Sequence, residues 1–221
     1  RIKVPENYAD EYPYSEAGNV ATVRDEVLAP SPRTEYAVKV HRREYYAIIT
    51  HMDAQIGRIL DKLEATGQAD NTYIFFTADH GLAVGHHGFI GKQNMYEHSL
   101  RPPLIVVGPD IPKDKKIGTR IYLQDVMPTS LEVAGIPHPD YVEFKSLIPL
   151  IEGTKDEQYD YIYGAYEPGS QRAIISGEFK MIYYPRIDTY RLYNLEKDPM
   201  EMNDLAPDPK YKGRLNRLMA E

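Results

Sequence analysis

The sequence predicts an α/β fold, and three patterns support this prediction. Apolar residues recur at spacings of three and four over residues 34–66, with Gly67 as a stop, which predicts a long amphipathic helix. Two short apolar runs, 73–76 and 104–107, are too short for helices and predict buried strands, the first of them central. From Tyr159 onward, short β-rich runs separated by Gly, Pro and Asp are typical of an antiparallel meander.

The other segments are predicted from their turn and helix signals. Residues 1–33 are rich in Pro, Tyr and acidic residues without a sustained period, so we expect irregular polypeptide on the surface. Residues 123–135 have helical spacing, with Pro128 tolerable only in a first turn and Gly135 as a stop. Residues 209–221 can form one short closing helix.

We place a domain boundary in the polar stretch near residue 155. Residues 1–155 are then expected to form the α/β core, and residues 156–221 a small antiparallel β subdomain with a terminal helix. Helix, strand, helix order in the first part is typical of α/β layering.

Composition limits the function classes. The chain has 221 residues, 42% of them hydrophobic, which is enough for a sizeable core. A net charge of −7 argues against a nucleic-acid partner. No apolar run approaches the length of a membrane span, and the absence of cysteine excludes thiolate chemistry within these residues. Because the first residue is Arg1, we expect the chain to be a piece of a longer polypeptide, and any export signal to lie in the missing front part.

The segment 77–103 carries the residues with chemical potential. Asp79 and His80 directly follow the first predicted strand, at the carboxyl end where open α/β sheets bind ligands. Lys92 follows a Gly- and His-rich loop that can bring backbone close to a ligand. Together, an acid, an imidazole and a lysine indicate a site in which a metal ion and a cation bind an oxyanion. Taken alone, Asp79-His80-Gly81 would favour an Asx turn after the strand, and Lys92 would be interpreted as a surface lysine.

Several blocks occur in order along the chain and resemble one family. They are the helix residues Tyr45–Arg58, Thr77–Gly81, Gly88–Gln93 with Met95–His98, Arg101–Ile105, Asp125–Thr129 with Gly135–Pro137, and Leu192–Leu195 with Asp198–Pro199 and Asn203–Ala206. Together they resemble the type I sulfatases of the alkaline-phosphatase-like superfamily, and the resemblance covers residues 33–206, the back half of a family member. It implies the C-terminal part of an alkaline-phosphatase-like α/β sandwich, followed by a small antiparallel sheet with a closing helix.

The resemblance also implies roles for individual residues. Asp79 and His80 align with ligands of a divalent ion, usually Ca2+, which also takes two acidic residues from the front half. Lys92 aligns with a lysine that contacts the sulfate group. His87 lies in the family's Gly-x-His-Gly pattern, where a contact with the substrate oxyanion and a structural hydrogen bond are both open.

The family nucleophile is a formylglycine made from Cys or Ser in a Cys/Ser-x-Pro-x-Arg motif of the front half. This motif is absent here, and Ser31-Pro32-Arg33 does not match it. The chain alone is therefore expected to be inactive and to need the missing N-terminal half. The expected activity is hydrolysis of an organic sulfate ester, with a sugar sulfate as one candidate substrate. Because bacterial members of this family are usually exported, the resemblance also favours a periplasmic or secreted location.

Two alternatives stay open. A histidine at the position of His80 also occurs in metal-dependent phosphodiester and phosphonate hydrolases of the same superfamily, which use Mn2+ or Zn2+. The imidazole favours these ions because calcium prefers oxygen ligands. The missing nucleophile leaves a non-catalytic module that binds sulfated glycans as the third reading.

Overall fold

A computed structural model describes residues 2–13, 25–29 and 31–221. The predicted long helix is confirmed as α1, Glu35–Ala65, and Gly67 follows it with a φ of +70°, a backbone conformation that glycine adopts at little cost. Residues 14–24 of the predicted irregular segment lie outside the described residues.

The remaining helices and strands follow α1 in chain order. They are β1 (Ile74–Thr77), α2 (Glu97–Leu100), β2 (Leu104–Val107), α3 (Val126–Val133), α4 (Ile148–Glu152), β3 (Ile162–Tyr166), β4 (Gln171–Ser176), β5 (Phe179–Tyr184), β6 (Thr189–Asn194) and α5 (Lys212–Ala220). Pro128 lies in the first turn of α3 and Gly135 follows the helix end, as their positions in the sequence predict.

Contacts among the described residues divide the chain into two compact units. Unit 1 contains the residues up to Lys62, His80–Pro102 and Tyr163–Glu221, and unit 2 contains Leu63–Asp79 and Pro103–Ile162. Both units are therefore built from segments that are distant in sequence. The domain boundary near residue 155 stays a prediction.

The strand pair β1–β2 is the sheet of unit 2. The two strands are antiparallel, with Ile74 opposite Val107 and Thr77 opposite Leu104. Each strand has one neighbour among the described residues, and Ile105 is 55% exposed. The prediction that both strands are buried, and the first of them central, is therefore wrong for this chain, because unit 2 alone does not cover both faces of an all-apolar strand.

A buried carboxylate organises the rest of unit 2. Asp125 is fully buried at the start of α3, and its two oxygens accept hydrogen bonds from the backbone N–H groups of Tyr122 and Lys145, each at 3.0 Å. The Tyr159 hydroxyl donates to the same carboxylate. Three donors offset the cost of burying this charge, which fixes the turn before α3 against the 145–159 segment.

The four-stranded sheet is the centre of unit 1. Its strand order is β3-β4-β5-β6, with β4–β5 and β5–β6 antiparallel, which confirms the predicted meander. One face packs on α5 through an apolar cluster that includes Met181, Leu192 and Leu218, so the predicted closing helix is also confirmed. The other face uses the alternate residues, including Ile182 and Tyr193, to pack on the segment 80–102. The sheet thus supports the segment in which the sequence analysis placed the site.

Among the described residues, the helices are all too short or too polar to cross a lipid bilayer.

Candidate active site

The segment His80–Pro102, here called the site loop, is folded on itself. The Ala83 N–H donates to the Gly91 carbonyl at 2.8 Å, and the Gly85 N–H to the Phe89 carbonyl at 2.7 Å. Gly81 makes the close approach at the loop base possible, because a Cβ atom there would lie 1.9 Å from the backbone oxygen of His98. The loop therefore has a defined backbone shape.

Asp79 and His80 are consecutive residues, Asp79 the last of a segment of unit 2 and His80 the first of a segment of unit 1. Asp79 is exposed and follows β1 closely, and His80 is half-buried. Nδ1 of His80 lies 2.8 Å from the Gly81 carbonyl oxygen, which accepts a hydrogen bond from it. This contact fixes the tautomer in which Nε2 carries the lone pair, the arrangement that metal-binding histidines use.

The donor set fits part of a metal site. A carboxylate and an imidazole nitrogen are ligands for several divalent ions, but calcium takes six to eight oxygen ligands. Within the described ranges, no group of three His, Asp or Glu side chains is arranged to hold a metal ion. Asp79 and His80 can therefore supply two ligands, without a third His, Asp or Glu side chain grouped with them among the described residues.

Lys92 presents a partly exposed ammonium group. Its side chain is 32% exposed, and Nζ lies 4.0 Å from Oδ2 of Asp25. The same Asp25 oxygen accepts a hydrogen bond from Nε2 of Gln93 at 2.7 Å. At 4.0 Å the Lys92 pair is longer than a charge-assisted hydrogen bond, so the ammonium N–H groups can also reach an anion.

Asp25, Glu26 and Arg33 support the site loop, which corrects the prediction that residues 1–33 run over the surface. Glu26 is buried and pairs with Arg33 at 2.7 Å. Its carboxylate oxygens also accept hydrogen bonds from the N–H groups of Ile90, at 3.0 Å, and Gly91, at 2.8 Å. A Pro-rich, acidic composition predicts exposure, but these carboxylates are buried because they have partners in the loop.

His87 is buried among structural contacts. It is 5% exposed, and its ring stacks on Tyr96 with 4.1 Å between centroids. The Asn7 amide Nδ2 lies 3.0 Å from His87 Nε2, while Asn7 Oδ1 accepts from His86 Nδ1 at 2.6 Å. Asn7 thus bridges both histidines. These contacts favour the structural alternative for His87, and its contact with substrate stays a prediction.

Burial keeps three histidines of the loop, His86, His87 and His98, neutral. Desolvation, followed by nearby positive charge, lowers the pKa of His86 to about 4 and that of His87 to about 4. Burial also lowers the pKa of His98 well below its usual value, and its Nε2 atom has no hydrogen-bond partner among the described residues. These rings therefore act as stacked, uncharged packing groups at neutral pH.

A buried ion cluster connects the site loop to the β-sheet. Lys180 on β5 is fully buried, with Nζ 3.1 Å from Glu97 and 2.8 Å from Glu201. Glu201 also accepts a hydrogen bond from the Glu97 N–H at 2.7 Å. Gln171 of β4 adds a hydrogen bond to the Gln93 carbonyl at 3.0 Å. These contacts hold the loop on both sides of Asn94.

His80, His87 and Lys92 all lie in unit 1. Asp79 directly precedes His80 in the sequence and belongs to unit 2. Sequence reasoning missed the residues that support them: Asn7, Asp25, Glu26, Arg33, Gln171, Lys180 and Glu201. Their contacts join residues up to 193 positions apart, for example Asn7 and Met200, and no local pattern indicates such pairs.

Two protein-family models match the chain. The model described as Sulfatase matches residues 4–136, and the model described as N-sulphoglucosamine sulphohydrolase, C-terminal, matches residues 85–221. Together they cover nearly the whole sequence.

Two curated relatives are sulfatases. An arylsulfatase of Clostridium perfringens is 37% identical over 188 residues, covering 82% of this chain and 39% of the relative. An N-acetylglucosamine-6-O-sulfatase of Bacteroides thetaiotaomicron is 30% identical over 229 residues, covering 98% and 41%. The chain therefore spans about two fifths of the length of these relatives.

Solved structures share the fold. A protein in complex with its substrate D-glucosamine-2-N,6-O-disulfate matches with a TM-score of 0.72 and 30% identity, covering 92% of this chain and 44% of that one. A phosphonate monoester hydrolase of Agrobacterium radiobacter matches with a TM-score of 0.75 and 25% identity, covering 85% and 42%.

Proposed function

Because this chain belongs to the sulfatase family, we propose that it forms the anion-binding part of an enzyme that hydrolyses an organic sulfate ester. The observation that carries the proposal is the position of Lys92. A cation that is 32% exposed lies on a loop fixed by buried contacts on both sides. The proposal is made for a longer protein, of which this chain would be one part.

Lys92 supplies charge where the reaction needs it. In sulfate ester hydrolysis, negative charge is spread over the non-bridging oxygens and increases on the leaving alcohol oxygen. An ammonium group held near these oxygens stabilises the transition state without having to reorganise during the reaction. The loop contacts of Gln93 and Gly91 limit the positions that the Lys92 backbone can take.

Asp79 and His80 would hold the divalent ion that the family resemblance implies, Ca2+ in the first instance. When bound, such an ion supplies Lewis-acid polarisation of an ester oxygen. The formylglycine nucleophile is proposed to lie in the part of the protein outside this chain. The chain by itself would then bind the sulfate group without cleaving its ester.

Sugar sulfates are the proposed substrate class. One sulfatase relative is named for N-acetylglucosamine 6-sulfate, and one structural neighbour holds a disulfated glucosamine as its substrate. Both similarities extend over more than nine tenths of this chain. A periplasmic or secreted location is part of the same proposal and rests on the family resemblance.

The missing N-terminal half is the proposed partner of the apolar surface of α1. Ile48 and Ile59 are 68% and 66% exposed, and Met52 and Leu60 are 44% and 43% exposed. An apolar surface of this kind is costly in water and is usually covered by another part of a protein. We therefore place the rest of the protein against this helix.

Phosphonate or phosphodiester hydrolysis is the second candidate. His80 and the similarity to the Agrobacterium phosphonate monoester hydrolase favour it. In that case Mn2+ or Zn2+ would replace Ca2+, because imidazole suits these ions better. A non-catalytic module that binds sulfated glycans is the third candidate.

Activity of the full-length protein distinguishes these candidates. The experiment measures kcat/KM for 4-nitrophenyl sulfate, a 6-sulfated glucosamine and an aryl phosphonate, after chelation and reloading with Ca2+ or Mn2+. We expect the sulfate esters to be cleaved fastest and Ca2+ to restore activity. Faster phosphonate cleavage with Mn2+ would establish the second candidate, and tight binding of a sulfated glycan without hydrolysis would establish the third.

A further inference from the structure

Two adjacent carboxylates contact four consecutive residues of the site loop. Glu26 accepts hydrogen bonds from the backbone N–H groups of residues 90 and 91, while Asp25 binds the Gln93 amide and lies 4.0 Å from the Lys92 ammonium. Asp25 and Glu26 are 8% and 2% exposed. The segment 90–93 is thus held along its whole length by one short turn, the 3-10 helix Glu26–Leu28 with Asp25 before it.

Gly91 shows how closely this turn approaches the loop. A Cβ atom at Gly91 would lie 2.7 Å from Asp25 Cβ and 3.0 Å from Glu26 Oε1. At 2.7 Å the turn or the loop would have to shift, so the absence of a side chain at residue 91 allows this close approach. The position of Lys92, one residue further on, then depends on this approach.

The two carboxylates differ in what they can do for Lys92. Glu26 is paired with Arg33 and bound to backbone, so its charge is balanced by contacts that do not involve Lys92. Asp25 lies close enough to attract the Lys92 ammonium, yet 4.0 Å is too long for a direct hydrogen bond. An acid at this distance orients the cation and leaves its N–H groups for an incoming anion.

We propose that Asp25 is a positioning residue for sulfate binding, which holds the Lys92 ammonium in the geometry that receives the anion. This inference rests on the sulfate contact of Lys92 under the proposed function. It adds a residue from the N-terminal segment of the chain to the site and gives Asp25 a role that acts through Lys92.

A double-mutant cycle in the full-length protein tests the inference. The variants are Asp25→Ala, Lys92→Ala and the double variant, with kcat/KM for 4-nitrophenyl sulfate and the Kd for inorganic sulfate as readouts. We expect Asp25→Ala to lower kcat/KM about 10- to 100-fold, the size typical of a misplaced catalytic group. In the Lys92→Ala background, we expect it to change kcat/KM and Kd less than about twofold, because the residue through which it acts is gone.

Two further variants separate positioning from folding. Asp25→Asn keeps an oxygen for the Gln93 amide and removes the charge, so an intermediate loss is expected even if Asp25→Ala fails to fold. Glu35→Gln removes an acid of an exposed ion pair in the same region and is expected to retain wild-type activity.

The outcomes distinguish the two proposals. Unchanged sulfate turnover and affinity in Lys92→Ala would contradict the proposed function. If Lys92→Ala loses activity and Asp25→Ala lowers kcat/KM by the same factor in that background as in the wild type, the two residues act independently. This result would overturn the positioning role of Asp25 and leave the proposed function standing. Wild-type activity in both Asp25 variants would overturn it as well.

Discussion

Lys180 Nζ lies 2.8 Å from Glu201 Oε1, and the two side chains are 0% and 2% exposed. With Glu97, they connect strand β5 of unit 1 to the site loop. Lys180→Met should lower the free energy of unfolding of the full-length protein by about 3–5 kcal/mol, because it leaves buried carboxylates without their cation. Urea denaturation followed by circular dichroism measures this change.

A second variant serves as the control for this prediction. Glu201→Gln in the Lys180→Met background removes one of the unpaired charges, so part of the lost stability should return. If Lys180→Met unfolds at the same urea concentration as the wild type, the cluster does not stabilise the fold.

The pH dependence of stability follows from the buried histidines. The pKa of His87 is lowered from 6.5 to about 4 in the folded protein, so the unfolded chain binds its proton first as the pH falls. Neutral His87 therefore contributes to the free energy of unfolding in full above pH 6.5. This contribution, on the order of 3 kcal/mol, is lost as the pH falls from 6.5 to about 4. Denaturation curves across this pH range measure the slope.

His87→Gln is the matched variant for the pH prediction, since a glutamine oxygen can accept the hydrogen bond from the Asn7 amide. This variant should show a shallower loss of stability between pH 6.5 and 4 than the wild type. An identical slope would show that His87 titrates normally in the folded protein.

Asp125→Ala should destabilise unit 2. The substitution removes the acceptor of the part-buried N–H groups of Tyr122 and Lys145 and of the Tyr159 hydroxyl, although the Lys145 N–H keeps its contact with the Tyr159 oxygen. We expect a loss of about 1–3 kcal/mol in the free energy of unfolding, the cost of leaving such groups unsatisfied. Glu132→Ala, at an exposed position of the following helix α3, serves as the comparison and should stay within about 0.5 kcal/mol. Equal stability of the two variants would contradict the role of Asp125.

The chain produced alone should show no turnover of aryl sulfate. Its candidate site offers two proposed metal ligands, Asp79 and His80, and the Lys92 ammonium, and the proposed nucleophile lies outside it. Mixing the chain with a separately produced N-terminal half is the complementary measurement, with restored turnover as the expected result. Turnover by the chain alone would show that these 221 residues contain a nucleophile of their own.

Sequence patterns correctly predicted the helices and strands whose formation depends on the spacing of their own apolar residues and on the turn residues that flank them. The apolar spacing of α1, the stop at Gly67 and the short β-rich runs of β4–β6 all appear in the structure as expected. The exposure of β1 was not predicted, because an all-apolar strand shows the need for a covering layer without showing which segment supplies it.

The candidate site was predicted only in part for the same reason. Asp79, His80 and Lys92 lie within one short stretch that resembles a family, and sequence reasoning could select them. Their supports, such as Asp25 and Asn7, act across 67 and 80 residues of sequence, in the contacts of Asp25 with Lys92 and of Asn7 with His87. A buried carboxylate with distant partners has the same local signature as an exposed one, and only the fold distinguishes them.

The most direct test of the central claim is the kcat/KM of full-length Lys92→Ala for a sulfate ester, with Lys113→Ala, an exposed lysine, as the control. If Lys92 receives the sulfate group, its variant should lose about 10²- to 10³-fold in kcat/KM while keeping the wild-type unfolding midpoint, and Lys113→Ala should match the wild type. Wild-type turnover by folded Lys92→Ala would contradict the account.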